Sequence, residues 1–277
     1  MNRTLILAEP GCTAQGDFDT YLRLIETAAE CGASCWKPQW VSDPAQMCER
    51  RHIGVDHPKR AYYLKAYGWL AFPLDWHTHF RHRCTQFGLQ YACSVFVPQD
   101  VAVIAPLVDY LKISSFEACD GALVAAAMWH HPRVILSSGM QSADDGLECA
   151  YVPVGDDGYE ERAVWAHLHC VSSYPAPLQA MNLSVLRAWR EGQRGLSDHS
   201  RNVLTGAVAV GAGATILETH YCLDDCDPEN PDYPVAFTPG EFAEYIRNVR
   251  TAEAMMGDGV KRVQECEKWA LPYRVTG

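Results

Sequence analysis

The stretch SDHSRNVLTGAVAVGAGATILETHY, residues 197–221, holds two histidines, His199 and His220, 21 positions apart. Each stands where a short run of apolar or small residues ends. Between them, residues 203–213 are small and apolar, long enough for one helix. The order strand, helix, strand makes a βαβ unit, which sets two parallel strands side by side. Neighbouring strands run ~5 Å apart, so histidines at their two carboxyl ends can meet although 21 residues of chain separate them.

The same alternation extends outward in both directions. β-Prone runs occupy 4–8, 33–40, 89–96, 110–113, 133–137, 165–171, 195–197 and 214–219. Helical patterns fill 17–31, 77–87, 118–130, 179–191 and 239–256, and an irregular stretch at 41–75 contains a short helix near 59–67. In the first helix Tyr21, Leu22, Ile25, Ala28 and Ala29 recur at helical spacing, and Gly32 ends it. In the last, Phe242, Tyr245, Ile246, Val249 and Ala252 form one stripe. Asp75 is the expected N-cap of the helix at 77–87, which Gly88 stops. Eight strands alternating with helices, without a linker rich in Pro, Gly or Ser, predict an α/β fold, a single (β/α)8 TIM barrel spanning 1–277. An open doubly wound sheet is the alternative. It would carry a glycine-rich turn after the first strand, and AEPGCTAQG is not GxGxxG.

Composition narrows the function. A formal net charge of −11 argues against nucleic-acid binding, which needs a basic surface, but leaves room for a small anionic substrate held by a few lysines. There is no apolar run of 18 or more residues, so no membrane span is expected, and residues 1–9 read as a first strand rather than a signal peptide. The twelve cysteines contain no CxxC pair; the nearest, Cys31/Cys35 and Cys222/Cys226, have three residues between them. Most of the others, such as Cys93, Cys119 and Cys170, sit singly in apolar runs and read as buried structural thiols of a reducing, cytoplasmic protein.

In such a barrel the chemistry gathers at the carboxyl ends of the strands. Taken in order, those ends offer Glu9; Lys37 and Gln39; Ser94; Lys112, Ser115 and Glu117; Ser137, Ser138 and Gly139; His169, Ser172 and Tyr174; Ser197, Asp198 and His199; Glu218 and His220. Lys37 and Lys112 lie in apolar strands, where an unpaired lysine is rarely buried, so an anionic partner is expected. With small hydroxyl residues around them they form a phosphate or carboxylate site. Glu9, Glu117 and Glu218 supply acid/base chemistry. One strand-end histidine is more often a satisfied structural residue than a ligand. Two on neighbouring strands, facing acids and lysines, read as ligands to one divalent ion completed by water and substrate. The other histidines are less persuasive. His77, His79 and His82 fall on different faces of one helix; a metal pair at His79 and His82, three residues apart, stays open, with a solvated face preferred. His130 and His131 fall at a helix end, where a cation is favoured, and His169 is a second-shell donor.

These pieces resemble the sialic acid synthase (NeuB-type) family. The matching segments are LILAEPG at 5–11, WKPQ at 36–39, LKISSFE at 111–117, VILSSGM at 134–140, LHCVSSYPAP at 168–177, GLSDHS at 195–200, ILETHYCLD at 216–224 and FTPGEFAEYIRNVR at 237–250. They follow in order over nearly the whole chain. The resemblance implies a (β/α)8 barrel that condenses phosphoenolpyruvate with N-acetylmannosamine or a related aldehyde sugar, releasing phosphate. By that resemblance His199 and His220 match two ligands to a divalent metal, usually Mn2+, with Mg2+ or Co2+ as the other candidates. Lys37, Ser94, Lys112, Ser115, Ser137, Ser172 and Ser197 match positions that hold phosphoenolpyruvate. Gln39, Glu9, Glu117, Tyr174 and Asp232 match positions around the acceptor, and Glu9 or Glu218 matches the proton-transfer role.

The departures bear on the acceptor. The Asn-His usual near TAQG and the Thr-Pro usual on the third strand (CSVF here) are changed, and 41–75 and 141–163 diverge. The family continues into a small C-terminal antifreeze-like domain that covers the partner's barrel. Here the sequence stops at Gly277, so that domain is expected to be missing, and the expected partner is a second copy in a homodimer or a separate chain that supplies the lid. Two further readings stay open on the residues: a pyruvate-dependent aldolase or lyase on the same barrel, which in Schiff-base form would need Lys112 free, and a non-catalytic ligand-binding barrel.

Overall fold

The computed structural model describes residues 3–142, 151–154, 160–189 and 192–275, with 151–154 and 160–163 described by backbone alone. In chain order the elements are β1 (Leu5–Glu9), α1 (Phe18–Cys31), β2 (Cys35–Trp36), α2 (Pro44–Arg50), α3 (Arg60–Leu70), α4 (Trp76–Gln86), β3 (Gln90–Ser94), α5 (Pro98–Ile104), β4 (Tyr110–Ile113), α6 (Gly121–His130), β5 (Val134–Ser138), β6 (Tyr151–Val154), β7 (Glu160–Ala163), β8 (Ala166–Cys170), α7 (Val185–Ala188), β9 (Gln193–Asp198), α8 (Thr205–Gly211), β10 (Ile216–His220) and α9 (Pro239–Met256). Eight parallel strands close on themselves in the order β1-β10-β9-β8-β5-β4-β3-β2. This is the expected (β/α)8 barrel, with β6 and β7 forming an antiparallel hairpin outside it.

Strand alternation sorts the side chains into layers. Leu7, Cys35, Ala92, Tyr110, Ile135, Ala166, Leu168 and Ile216 form one apolar cluster, separate from the larger core between the strands and the helices. Gly195 completes it on β9, where a Cβ would stand 2.0 Å from Ile216 O and 2.7 Å from Leu168 Cδ2. Outside the barrel, Tyr21, Leu24, Ile25 and Ala28 bury one face of α1, and Phe242, Tyr245, Ile246 and Val249 one face of α9. Asp17 caps α1 by accepting from Thr20 N at 2.8 Å, and Gly32 ends it at φ 92°. Thr238 and Glu241 form a capping box at the start of α9.

Several boundaries differ from those expected. β2 is two residues long because Pro38 cannot continue the ladder, although Lys37 N still donates to Ala8 O at 3.0 Å and Gln39 bridges Ser94. The stretch 41–75 holds two helices, α2 and α3. Between β3 and β4 lies α5, opened by Pro98 at its first turn, where strand-like apolar residues hid a helix. α6 begins at Gly121 after Asp120, which accepts from Leu123 N at 3.0 Å. α7 covers only four residues of the expected 179–191, of which 190–191 lie outside the described residues. Asp75 does not cap α4: it is itself in helical conformation and makes no side-chain cap bond. The eleven cysteines described are free, and Cys119 and Cys266 are exposed rather than buried. Among the described residues no helix is long and apolar enough to cross a membrane.

The other histidines are placed too. His79 and His82 lie on exposed positions of α4, whereas His77 is fully buried with Nδ1 2.6 Å from Tyr91 Oη. His131 is buried, and burial pushes its pKa down, the opposite of the shift expected of a dipole-favoured cation. Burial pushes His77 down to about 4. The unfolded imidazole binds a proton below its ordinary value near 6.5, while the folded one does not until about pH 4. Its contribution is therefore complete above pH 6.5 and falls as the pH drops through that window, by about 2 kcal/mol at pH 5. Urea unfolding at pH 7 and pH 5 is expected to show this loss in the wild type and a smaller one in His77→Gln.

Candidate active site

Two residues beyond the last member of the apolar layer on each strand, the barrel interior turns polar. From Leu7, Cys35, Ala92, Tyr110, Ile135, Leu168, Gly195 and Ile216 the chain steps to Glu9, Lys37, Ser94, Lys112, Ser137, Cys170, Ser197 and Glu218. All eight line one small cavity, together with Gln39, Ser114, Ser115, Tyr174, His199 and His220. Every strand of the barrel thus contributes one residue to a single ring at its carboxyl end.

The two lysines are fully buried and held by the ring itself. Lys37 Nζ lies 2.8 Å from Glu9 Oε2, 2.8 Å from Ser94 Oγ and 3.7 Å from Glu218 Oε2. Lys112 Nζ donates to Ser137 Oγ at 2.8 Å and to Ile113 O at 2.9 Å, and stands 3.6 Å from Glu218 Oε1. Glu218 accepts from Ser197 Oγ at 2.9 Å, and Glu9 from Gln39 Nε2 at 2.5 Å. Burial alone would raise the Glu9 carboxyl, but Lys37, His220 and the hydrogen bonds from Lys37 and Gln39 outweigh it and lower it to about 2. Burial works against the Lys37 ammonium, yet Glu218 and Glu9 raise it overall. Lys112 is lowered, because burial and the neighbouring Lys37 outweigh the pull of the two carboxylates.

The two histidines do meet. Glu9 and His220 are register partners across β1 and β10, and the rings of His199 and His220 stand 5.5 Å apart. Tyr174 packs on His199 at 4.2 Å. His199 Nδ1 lies 3.1 Å from Val171 O; a proton donated there leaves Nε2 its lone pair, the arrangement that orients a metal-ligating imidazole. His220 Nδ1 is buried without a hydrogen-bond partner. An oriented imidazole beside an orphaned one suits a divalent ion. Among the described residues no group of three or more His, Cys, Asp or Glu is arranged to hold one, so this pair would leave the remaining positions to water and substrate.

Other expected residues are placed at the edge. Ser172 Oγ lies 2.9 Å from Ser115 Oγ. Asp232 does not line the cavity; it accepts from Cys12 N at 2.7 Å. A Cβ at Gly11 would meet Asp232 Oδ2 at 2.1 Å and His220 Nδ1 at 3.0 Å, so glycine is what lets those two groups share this corner. Glu117 is turned away: its carboxylate pairs with Arg51 at 2.7 Å and accepts from Ser114, and burial raises it despite Arg51. His169 faces outward, with Nε2 2.7 Å from Met181 O, and is not a second-shell donor to the site. Cys170, read as structural, lines the cavity, with Sγ 3.8 Å from His199 Nδ1. Burial would raise its thiol, but His199 and Lys112 lower it below the ordinary value.

Gly139 underlies the serines. A Cβ there would meet Ser172 Oγ at 2.2 Å and Ser115 Cβ at 3.0 Å. Gly139→Ala is expected to push Ser172 aside and weaken anion binding about tenfold or more, the loss of one charge-assisted hydrogen bond. Titration calorimetry with phosphoenolpyruvate checks this.

A profile described as the NeuB family matches residues 24–261. The chain is 27% identical to an N,N'-diacetyllegionaminic acid synthase of Campylobacter jejuni, over 97% of this chain and 82% of that enzyme. It is 28% identical to an N-acetylneuraminate-9-phosphate synthase of Mus musculus, over 95% of this chain and 74% of that enzyme. The crystal structure of an N-acetylneuraminic acid synthetase from Leptospira borgpetersenii, in complex with citrate, superposes with a TM-score of 0.83 at 26% identity, covering 99% of this chain and 92% of that one.

Proposed function

The chain belongs to the NeuB family, and from that membership we propose that it is a sugar-acid synthase that joins phosphoenolpyruvate to an aldehyde acceptor, a sugar of the N-acetylmannosamine kind or a relative of it, with release of phosphate. The observation that carries the reading is the charge pattern of the ring. Two buried ammonium groups face two buried carboxylates, so the four charges cancel. A trianion entering alone would leave a large uncompensated charge in a dry site. Entering with a divalent cation at His199 and His220 it leaves one net negative charge instead of three.

In this reading Lys37 and Lys112, with Ser94, Ser115, Ser137, Ser172 and Ser197, hold the phosphate and carboxylate of phosphoenolpyruvate. Gln39, Tyr174 and Asp232 face the acceptor. A divalent ion, Mn2+ first, would polarise the acceptor aldehyde as a Lewis acid. The enol carbon of phosphoenolpyruvate forms the new C–C bond, water adds at the neighbouring carbon, and phosphate departs with its bridging oxygen. Glu9 or Glu218 holds and moves the protons taken from water and given to the new hydroxyl. Lys112 donates to Ser137 and Ile113 and lies near Glu218, contacts that it would have to give up to form a Schiff base. A homodimer belongs to the same proposal.

Incubation with uniformly 13C-labelled phosphoenolpyruvate and a panel of aldehyde sugars, followed by mass spectrometry, is expected to give a 2-keto acid carrying all three labelled carbons. Labelled pyruvate replacing phosphoenolpyruvate, with borohydride trapping on Lys112, would overturn the reading in favour of an aldolase.

A further inference from the structure

The loop after β9 carries a residue that neither the ring of strand ends nor the family resemblance accounts for. Arg201, two positions after His199, adopts φ 49°, a conformation that residues with a Cβ rarely adopt. Its guanidinium crosses to the loop after β10. Nη1 donates to Tyr233 O at 3.0 Å, Nη2 reaches Glu241 Oε2 at 3.3 Å, and Cζ stands 5.4 Å from the centroid of the Tyr233 ring. Glu241 is itself fixed in the capping box of α9.

Tyr233 follows Asp232, and Asp232 is held from the far side by the loop after β1. Cys12 N donates to Asp232 Oδ2 at 2.7 Å, Asn230 Nδ2 donates to Cys12 O at 3.0 Å, and Cys12 Sγ donates to Asn230 Oδ1 at 3.3 Å. Three loops are therefore tied together, and Arg201 is the tie from the loop that bears His199. A planar fork that reaches a carbonyl and a carboxylate at once is what arginine supplies and lysine does not. None of these bonds reaches Lys37, Lys112 or the serines.

We propose that Arg201 is a positioning residue that holds Asp232 beside His220 and so sets affinity on the acceptor side of the site without affecting the phosphoenolpyruvate side. The functional part rests on Asp232 facing the acceptor, as proposed above; the mechanical part does not. Cys12 reports on the mechanical part, since it is buried against the same loop.

The test is the rate of N-ethylmaleimide labelling at Cys12, read by peptide mass spectrometry on the folded protein, for wild type, Arg201→Gln and Arg201→Lys, alongside calorimetry with phosphoenolpyruvate and Mn2+. The expected result is labelling about tenfold faster in Arg201→Gln, because the loop opens more often, with Arg201→Lys in between and phosphoenolpyruvate affinity unchanged. Acceptor KM then rises while kcat holds. Wild-type labelling in both variants overturns the proposal. If Arg201→Gln loses its fold, Arg201→Lys decides: faster labelling with intact phosphoenolpyruvate binding supports the tie, and unchanged labelling removes it. Faster labelling in a protein that turns over no acceptor would leave the tie standing and count against the synthase reading.

Discussion

Replacing either His199 or His220 with alanine is expected to lower turnover by on the order of a thousandfold or more, the several kcal/mol that a Lewis acid contributes to an aldehyde addition. The effect is chemical rather than architectural. Both rings sit above the apolar layer, in the topmost part of the barrel, and their removal leaves the strand ladder between β9, β10 and β1 intact. The melting temperature should therefore move by no more than about 5 °C. Phosphoenolpyruvate should still bind through Lys37 and Lys112, more weakly because the compensating cation is lost. Of the two rings, His220 is the one whose Nδ1 is buried without a partner, so its replacement is expected to be the milder of the two in stability and no milder in activity. Steady-state assays with added Mn2+, with thermal melts alongside, check all of this. Full activity in either variant after chelation would remove the metal site from the account.

Lys37→Met is expected to fail for the opposite reason. Lys37 is the cation between Glu9 and Glu218. Without it two carboxylates remain in a buried ring with only Lys112 nearby. Removing one partner of a buried pair costs about 3–5 kcal/mol, because the other charge is left uncompensated. Glu9 is hit hardest, since Lys37 is the largest of the influences that keep its carboxyl low. The double variant Lys37→Met, Glu9→Gln should recover much of that stability while remaining unable to bind phosphoenolpyruvate. A double-mutant cycle by urea unfolding measures the coupling. Additive losses would mean that the pair does not interact as its 2.8 Å separation implies.

Most of the site was legible because the barrel converts sequence into position by a rule of two. Residues 37, 94, 112, 137, 197 and 218 stand out as polar in apolar runs, and strand alternation brings them to one ring. The same rule explains two misreadings. Cys170 is in phase with Leu168 and so belongs to the ring, but a cysteine in an apolar run carries no polar signal of its own. His169 is polar and at a strand end, yet one residue out of phase, and it points away from the cavity. Phase, not proximity to the strand end, was the missing criterion.

What the pattern could not give depends on loops. Glu117 was expected at the acceptor, and nothing local marks Arg51, 66 positions earlier on the chain, as the group that takes up its carboxylate. The Gly11 corner is equally invisible, since it depends on a loop after β10 folding back over one after β1. Helix α5 went unseen because seven residues are too few for a periodic stripe to register.

The measurement that tests the central claim most directly is phosphate release from phosphoenolpyruvate with Mn2+ across a panel of aldehyde sugars, with and without chelator. The account predicts release that requires both an acceptor and the metal, and that stops on chelation. No release with any acceptor, together with no phosphoenolpyruvate binding by calorimetry, would contradict it and leave the ring of lysines and carboxylates without the substrate proposed for it.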